Sequence, residues 1–214
     1  YLERLLKQDF SSWNIDASDR FPDLFQWIAN NNGGQFDEAN CASNLSIKKE
    51  SVRRSLNLLE RMGLIRRLLN WPAGSNQSMN EMPVLYVRDC GLLHVMLGID
   101  TIEKLLDSEA AGHSWESFAI ESIINAASDN VTPAFYRDKN QNEIDLVLNF
   151  SNGTIYAIEI KMNETSRAKK GFAIGCDEIG ATHRIVVHSG ERDITLNEGV
   201  SRLSLISVLK EMPK

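Results

Sequence analysis

Two neighbouring segments between residues 142 and 161 alternate apolar and polar side chains with a period of two, which is typical of β-strands. The even positions from Ile144 to Phe150 are apolar, and so are those from Tyr156 to Ile160. The odd positions carry four charged side chains, namely Glu143, Asp145, Glu159 and Lys161. The pattern predicts a hairpin whose charged side chains share one face.

The connection between the two strands predicts their register. Residues 151–153 form a three-residue loop that ends in glycine, the residue that a left-handed turn position favours. This loop places Asp145 opposite Glu159 and Glu143 opposite Lys161. Opposed side chains start about 4.5–5.5 Å apart at Cβ, and two such carboxylates repel each other unless one is protonated or a cation lies between them. Mg²⁺ or Mn²⁺ would remove the conflict, whereas Glu143 and Lys161 are also compatible with a plain cross-strand ion pair.

Glu116 is a third acidic candidate, on a helix predicted from Ser114 to about Ser128. It is aligned with Ala119, Ile120 and Ile123, the stripe that should pack on the sheet. Two explanations fit a charged residue at this place. Glu116 binds the same metal ion, or it interacts with the helix N-terminus and hydrogen-bonds to a strand.

The second half of the chain is predicted to form an α/β layer structure. After the helix from Ser114 come three apolar-rich strands, a helix near residues 166–179 and a strand at residues 184–188. A last amphipathic helix is expected through residues 203–209.

The first half predicts the element order of a winged helix-turn-helix. Apolar side chains at helical spacing indicate one helix from Phe21 to Ile28 and another near residues 37–45. Ser46 is the predicted N-cap of a third helix that ends at Gly63. Apolar strands at residues 64–69 and 84–87 flank a loop at residues 71–76, and helical connectors follow at residues 89–98 and 101–106.

The third helix carries a local excess of positive charge. Residues 46–67 contain seven basic and two acidic side chains, although the whole chain has a net charge of −6. A basic face suits contact with DNA phosphates, and the candidates are Lys48, Lys49, Arg53 and Arg54. These residues are equally compatible with an ordinary solvated face, and winged helices also serve as protein docking modules.

Several classes of protein are excluded by what the sequence lacks. No window approaches the roughly 20 apolar residues of a membrane helix, and the N-terminus has no signal-peptide pattern, so we expect a cytoplasmic protein without a membrane partner. No GxxxxGK[ST] segment that could bind a nucleotide and no GxSxG elbow occurs. The three cysteines are widely spaced, which argues against a disulfide framework and a thiolate zinc site. The four histidines lack the paired spacing of metal ligands.

The charged residues resemble a known motif. Asp145 followed by Glu159-Ile160-Lys161 is similar to the PD-(D/E)xK nuclease motif, with Glu116 in the place of the helix-borne acid. The chain more closely resembles the C-terminal domain of unknown function that follows an AAA-type ATPase domain in many bacteria and archaea. The segments that carry this likeness are residues 112–118, Tyr136-Arg137, Glu143-Ile144-Asp145, Glu159-Ile160-Lys161, and Tyr86, Asp89 and Gly91-Leu92 between the domains. At the position of Val84, such proteins usually have a lysine.

The resemblance implies a role for each residue. Asp145 and Glu159 would bind the metal ion directly, Glu116 would bind it directly or through water, and Lys161 would orient or help to deprotonate the attacking water. Further residues would support these ligands or contact phosphate, namely Arg137, Glu143, Arg167, Lys169 and Lys170. The resemblance also implies an ATPase domain upstream of this chain.

These observations predict an α/β (α+β) chain with four parts. Residues 1–20 form an N-terminal helical segment, residues 21–90 a winged helix-turn-helix, residues 91–110 a helical connector, and residues 111–214 a restriction-endonuclease-like mixed sheet flanked by helices. The predicted function is Mg²⁺- or Mn²⁺-dependent hydrolysis of DNA. The alternative is an inactive module that binds nucleic acid or protein under the control of the upstream ATPase domain, and the sequence is compatible with a homo-oligomer.

Overall fold

The computed structural model describes residues 20–71, 82–195 and 199–213. Within these residues the chain divides into two units, the first formed by residues 20–67 and 82–114 and the second by 68–71, 115–195 and 199–213. All but the last residue of the helix predicted at residues 1–20 and most of the loop predicted after Asn70 lie outside the described residues. None of the described helices combines the length and the apolar character that a bilayer crossing requires.

The first unit consists of helices and one two-stranded hairpin. Its elements are α1 Phe21–Asn30, α2 Glu38–Leu45, α3 Lys49–Arg61, β1 Ile65–Leu68, β2 Val84–Val87, α4 Cys90–Met96 and α5 Ile102–Leu106. The predicted helical stripes form its core, because Leu24, Ile28, Val52, Leu56 and Leu59 are all buried in one cluster. The helices and strands predicted in this half are therefore confirmed to within a few residues.

The predicted N-cap at Ser46 is wrong. Ser46 has φ 54° and ends α2 in a left-handed conformation, which is incompatible with the extended backbone of an N-cap. Helix α3 begins after Lys48, whose side chain makes no capping hydrogen bond. Gly63, by contrast, has φ 69° and follows Met62, the C-cap residue of α3, so the predicted glycine cap is confirmed.

The second unit is a mixed sheet with helices. Its elements are α6 Ala110–Ala126 (from Trp115 onward), β3 Val131–Arg137, β4 Glu143–Phe150, β5 Ile155–Lys161, α7 Lys170–Glu178, β6 His183–His188, β7 Ile194–Thr195, β8 Val200–Ser204 and α8 Leu205–Glu211. The strand order is β3-β4-β5-β6-β8-β7. β4 is antiparallel to β3 and β5, β6 is parallel to β5 and β8, and β7 is antiparallel to β8. The mixed α/β class is confirmed.

Three helix boundaries in this unit differ from the prediction. α6 begins at Ala110 rather than Ser114. α7 begins at Lys170 rather than Ser166, because Asn163 accepts hydrogen bonds from Thr165 and holds the preceding segment in a turn. Residues 200–204 form strand β8 instead of the start of the last helix, since Leu203 pairs with the buried Val187 of β6.

The predicted register of the central hairpin is confirmed for residues 146–150, and the predicted position of Glu143 opposite Lys161 lies beyond the paired residues. Leu146 lies opposite Ile158, and the Phe150 N–H donates to the Thr154 carbonyl over 2.9 Å. This pairing continues the register that places position 145 beside position 159.

A β-bulge interrupts β4 on its other side. In β3, Ala134 and Tyr136 are two residues apart. Their partners in β4, Val147 and Ile144, are three residues apart. The extra residue is one of Asp145 and Leu146. It reverses the side of the sheet on which the side chains of β4 lie before this point in the sequence. Ile144 consequently packs in the core that contains Val147, Ala157 and α7, so the prediction that it shares a face with Leu146 is wrong.

The cysteines are free. Cys41 and Cys176 are buried, whereas Cys90 is half-buried. Burial raises the pKa of Cys41 to about 11 and that of Cys176 to about 12. Both thiols are therefore uncharged and unreactive at neutral pH.

Candidate functional site

The carboxyl end of β5 brings Asp145, Glu159 and Lys161 together. Glu159 is buried inside the second unit, and Lys161 is partly buried at the last position of the strand. Asp145 lies in the neighbouring strand, one position beyond the last paired residues of β4 and β5. The three side chains form the acid cluster that the alternating pattern predicts.

Asp145 is fixed by a hydrogen bond to the backbone of β5. Its Oδ2 accepts from the Ile160 N–H over 2.7 Å. In an uninterrupted antiparallel ladder the same N–H would donate to the carbonyl of Ile144, because alternate opposed pairs are hydrogen-bonded. The bulge at Asp145 thus replaces a backbone acceptor with a carboxylate, and this holds Asp145 against Glu159.

Glu159 and Lys161 form a short ion pair. The Lys161 Nζ lies 2.5 Å from Glu159 Oε1. Burial raises the pKa of Glu159, against the lowering effect of Lys161 and of the more distant Lys169. Burial alone would lower the pKa of Lys161, but the charges of Asp145, Glu159 and Glu116 raise it. Lys161 therefore stays charged and acts as the counter-ion of the cluster.

Asp145 carries the strongest electrostatic conflict. Loss of hydration raises its pKa well above the ordinary value, and the charges of Glu159 and Glu116 raise it further. The Ile160 N–H and the Lys161 ammonium act in the opposite direction and do not cancel the rise. Since Glu116 is close enough to affect both Asp145 and Lys161, the helix-borne acid belongs to the cluster.

Trp115 is a member of this region that the sequence did not single out for a role. Its indole N–H donates to the carbonyl of Lys161 over 3.0 Å, and this ties α6 to the end of β5. The contact places the neighbouring Glu116 beside the strand that carries Glu159. The signal available in the sequence was a tryptophan adjacent to the candidate acid, at the point where the helix meets the sheet.

The residues expected to support the acid cluster lie in two places, on the paired strands β3 and β4 and at the start of α7. Arg137 forms an ion pair with Glu143 across β3 and β4. Glu143 therefore pairs with Arg137, and Lys161 pairs with Glu159. Lys169 is exposed and close enough to influence Glu159, and Lys170 is the exposed first residue of α7.

Carboxylate oxygens suit a hard divalent cation, and the charges of Glu159 and Glu116 both act on the carboxylate of Asp145. Among the described residues, however, no three acidic, histidine or cysteine side chains are gathered closely enough to coordinate an ion. The Glu159 carboxylate forms an ion pair with the Lys161 ammonium. Asp145, Glu159 and Glu116 are therefore the residues that would hold a metal ion, and Glu159 would have to exchange its ammonium partner for it.

The basic residues of α3 lie on its exposed side, in the first unit. Arg53 binds Glu38 over 2.7 Å and Lys49 lies 3.8 Å from the same carboxylate. Arg54 donates to the Ser51 hydroxyl over 3.3 Å, and Lys48 is exposed just before the helix. Glu38 on α2 thus neutralises part of the predicted basic face, which the sequence of α3 alone could not reveal.

Comparisons with known proteins agree with this division of the chain. Residues 1–103 match the model of a domain of unknown function (DUF8612), and residues 111–208 match that of another (DUF4143). Uncharacterized proteins from Mycobacterium bovis and Mycobacterium tuberculosis are each 30% identical over 174 residues, which is 81% of this chain. The chain spans 39% of the length of each relative. The resemblance is confirmed at the level of domains of unknown function, and these matches name neither a winged helix nor a nuclease.

Proposed function

We propose that the second unit is a restriction-endonuclease-like module that hydrolyses phosphodiester bonds of DNA with the help of Mg²⁺ or Mn²⁺. The observation that carries the proposal is the arrangement at the end of β5. There Asp145 is held by the Ile160 N–H beside Glu159, Lys161 pairs with Glu159, and the charge of Glu116 acts on Asp145 and Lys161. The order aspartate, glutamate, any residue, lysine on adjacent strands is what the motif resemblance predicts.

Each side chain has a distinct task in this proposal. A bound divalent ion lowers the pKa of a water molecule and offsets the charge that develops on the phosphate. Asp145 and Glu159 would bind that ion, and Glu116 would hold it directly or through water. Lys161 remains protonated beside the carboxylates, where it orients the water and the scissile phosphate. Arg137 keeps Glu143 in place, and Lys169 and Lys170 offer exposed positive charge to the flanking phosphates.

The first unit is proposed to be a winged helix-turn-helix that positions the duplex. Three helices followed by a two-stranded hairpin support this reading, with α3 as the recognition helix. Contact with DNA would rely on Lys48, Lys49, Arg53 and Arg54. Because Glu38 holds two of these side chains, DNA would have to displace existing ion pairs, which are worth little at an exposed surface.

The length of the relatives leaves room for the ATPase domain that the resemblance implies. The matched segment makes up 39% of each relative. We therefore propose that this chain acts together with an upstream ATPase domain in the bacterial cytoplasm. A homo-oligomer is compatible with this proposal.

Incubation with supercoiled plasmid DNA and Mn²⁺ or Mg²⁺ tests the hydrolase. We expect the parent protein to nick or cut the plasmid, and Asp145→Ala and Lys161→Ala to lose this activity by at least 100-fold, a typical cost of removing a group that binds the metal or stabilises charge. Asp177→Asn is the matched control, because Asp177 is an exposed acid in the same unit, paired with Arg184. Equal cleavage by all variants would identify a contaminating nuclease.

A second candidate function is a catalytically silent module that binds nucleic acid or protein. The observation in its favour is the Lys161–Glu159 ion pair, which occupies a carboxylate that the metal ion would need. The plasmid experiment separates the two functions. Absence of cleavage by the parent, together with salt-dependent binding of the same DNA, would favour the silent module.

A further inference from the structure

His188 is a buried polar residue that the proposed hydrolysis does not use. It is the last residue of β6 and is 0% exposed. The Gly190 N–H donates to its Nδ1 over 3.1 Å. Because a ring nitrogen that accepts a hydrogen bond carries no proton, the proton of the uncharged imidazole is on Nε2. The side chain therefore has an Nε2–H group that can donate a hydrogen bond.

This donor has no acceptor in the part of the chain that the structure describes. Nε2 is buried, and no hydrogen bond to it is formed there. Nearly all buried polar groups of folded proteins have a partner, and a donor without one destabilises the state in which it occurs. The orphaned Nε2–H therefore indicates an acceptor that reaches it in another state of the protein.

The register of the sheet places His188 beside the acid cluster. In the parallel ladder between β5 and β6, His188 is the partner of Lys161, and Val186 is the partner of Glu159. Partners in neighbouring strands are about 4.8 Å apart, and their side chains leave the same side of the sheet. His188 is thus one strand away from Lys161 and Glu159, on the side on which those two side chains form their ion pair.

Contacts with α7 confirm the side of the sheet on which His188 lies. Arg184 of β6 pairs with Asp177 of α7 over 2.6 Å. Its ladder partner in β5, Ala157, is buried in the core cluster that also contains residues of α7. Since side chains alternate along a strand, Glu159 and His188 lie on this same side.

Glu159 is the acceptor in the acid cluster that this arrangement favours. Lys161 cannot accept a hydrogen bond, because an ammonium group has no lone pair. Asp145 is one strand further from β6, and its Oδ2 already accepts from the Ile160 N–H. Glu159 is diagonal to His188 in the ladder, a separation that two long side chains can bridge.

Asp193 is the competing acceptor, since its charge and that of His188 interact. Its two carboxylate oxygens accept from the Ser204 N–H over 2.7 Å and from the Ser207 hydroxyl over 2.5 Å. Ser204 is the N-cap of α8. Asp193 is therefore already engaged in fixing the start of that helix.

We propose that His188 is a positioning residue of the acid cluster, whose Nε2–H donates to the Glu159 carboxylate when Glu159 exchanges the Lys161 ammonium for a divalent cation. The inference rests on the proposed function for its metal ion. It deepens that function, because the new hydrogen bond compensates Glu159 for the lost ion pair and leaves Lys161 free to act on the water and the phosphate. Groups that hydrogen-bond to a metal ligand commonly orient it and strengthen metal binding.

Binding of Mn²⁺, followed by the electron paramagnetic resonance of the free ion, tests the inference without DNA. In His188→Asn the amide oxygen takes the place of Nδ1 and can accept from the Gly190 N–H, while the distal donor is lost. We expect this variant to bind Mn²⁺ about 10-fold more weakly, the usual cost of losing such a group. His188→Gln keeps an N–H donor as many bonds from Cα as Nε2, so its affinity should stay within about threefold of the parent.

His183→Asn is the matched control, because His183 is an exposed histidine at the other end of β6. This variant and Asp193→Asn should leave Mn²⁺ binding unchanged. Equal affinity in the parent and His188→Asn, or equal weakening in His188→Asn and His188→Gln, would overturn the inference. Weakening by Asp193→Asn as large as that by His188→Asn would also overturn it, since the donor would then serve Asp193.

Nuclear magnetic resonance of the parent gives a second measurement that requires no variant to fold. A hydrogen bond to a carboxylate moves the resonance of the donated proton downfield. The Nε2–H proton of His188 should therefore shift downfield when Mg²⁺ is added to the protein in place of EDTA. An unchanged resonance in Mg²⁺-saturated protein would contradict the inference.

The outcome is separable from that of the plasmid experiment. Mn²⁺ binding that depends on His188, in a parent that cleaves no plasmid, would uphold the positioning role and remove the hydrolase. Plasmid cleavage together with Mn²⁺ binding that His188→Asn leaves unchanged would uphold the hydrolase and remove the positioning role. A parent that binds no Mn²⁺ would remove both.

Discussion

Asp145 destabilises the fold in which it lies. Its carboxylate loses hydration and faces two further carboxylates, so its folded-state pKa lies well above the value of 3.8 that it has when solvated. A carboxyl group of this kind binds its proton more tightly in the folded than in the unfolded chain. The free energy of unfolding therefore falls as the pH rises from about 4 through the folded-state pKa. A buried charge conflict of this type is a frequent property of functional sites.

Asp145→Asn should raise stability in the absence of metal ions. Asparagine keeps an oxygen that can accept from the Ile160 N–H, and it removes the charge. We expect Tm at pH 8 in EDTA to rise by about 2–4 °C, which corresponds to roughly 1 kcal/mol in a chain of this size. The difference should shrink as the pH falls toward 4, and scanning calorimetry at several pH values measures it.

Asp138→Asn is the control of opposite sign. Some loss of hydration raises the pKa of Asp138, but hydrogen bonds from Asn142 and Asn140 outweigh it and lower the pKa overall. Tm should therefore fall in this variant. A fall of Tm in Asp145→Asn at pH 8 would contradict the charge conflict at the cluster.

At the scale of the elements, the alternating sequence predicts the hairpin well and the bulge poorly. Period and loop length determine which strands pair and which acids face each other, because both are local properties of residues 142–161. The bulge depends on how β4 pairs with β3, a contact that local alternation does not report. The three consecutive apolar residues Leu146–Leu148 break the alternation, and they are the signal that could have indicated it.

Strand β8 and the neutralised face of α3 were missed for a similar reason. Val200–Ser204 becomes a strand by pairing with β6, and Glu38 reaches α3 from α2. Both effects arise from elements that are distant in sequence. Helices with a continuous apolar stripe were predicted correctly, since their burial follows from the 3.6-residue period alone.

The turn between β4 and β5 offers a test at this scale. Gly153 has φ 84°, a conformation that costs other residues about 1–2 kcal/mol. Gly153→Ala should therefore lower Tm by several degrees. In Gly112→Ala the added methyl group meets no neighbour within 4 Å on helix α6, so helix propensity should raise Tm. Thermal unfolding followed by circular dichroism measures both, and equal shifts would contradict the role of the turn.

At the scale of the whole molecule, the two units have different proposed tasks. The chain is acidic overall, with a net charge of −6, so binding of DNA requires local rather than total positive charge. The proposed binding face is in the first unit and the proposed chemistry in the second. Substitutions in the basic face of α3 should therefore alter the affinity for duplex DNA, and substitutions in the acid cluster should alter cleavage.

The dependence of DNA affinity on salt checks this assignment. Each phosphate contact that is lost should reduce the slope of log affinity against log salt by about 0.9. We expect Lys48→Gln to reduce the slope for a 20-base-pair duplex by about this amount. Lys210→Gln removes the same charge from α8 and should leave the slope unchanged. Equal effects of the two substitutions would indicate that the first unit has no dedicated binding face.

Binding of Mn²⁺ tests the central claim most directly, because the claim concerns carboxylates that a cation would bring into balance. Titration of the parent protein with Mn²⁺, followed by the electron paramagnetic resonance of the free ion, should show one bound ion per chain. Asp145→Asn should weaken this binding at least tenfold, while Asp177→Asn should leave it unchanged. Equal Mn²⁺ affinity in the parent and Asp145→Asn, or no binding by the parent at millimolar Mn²⁺, would contradict the account.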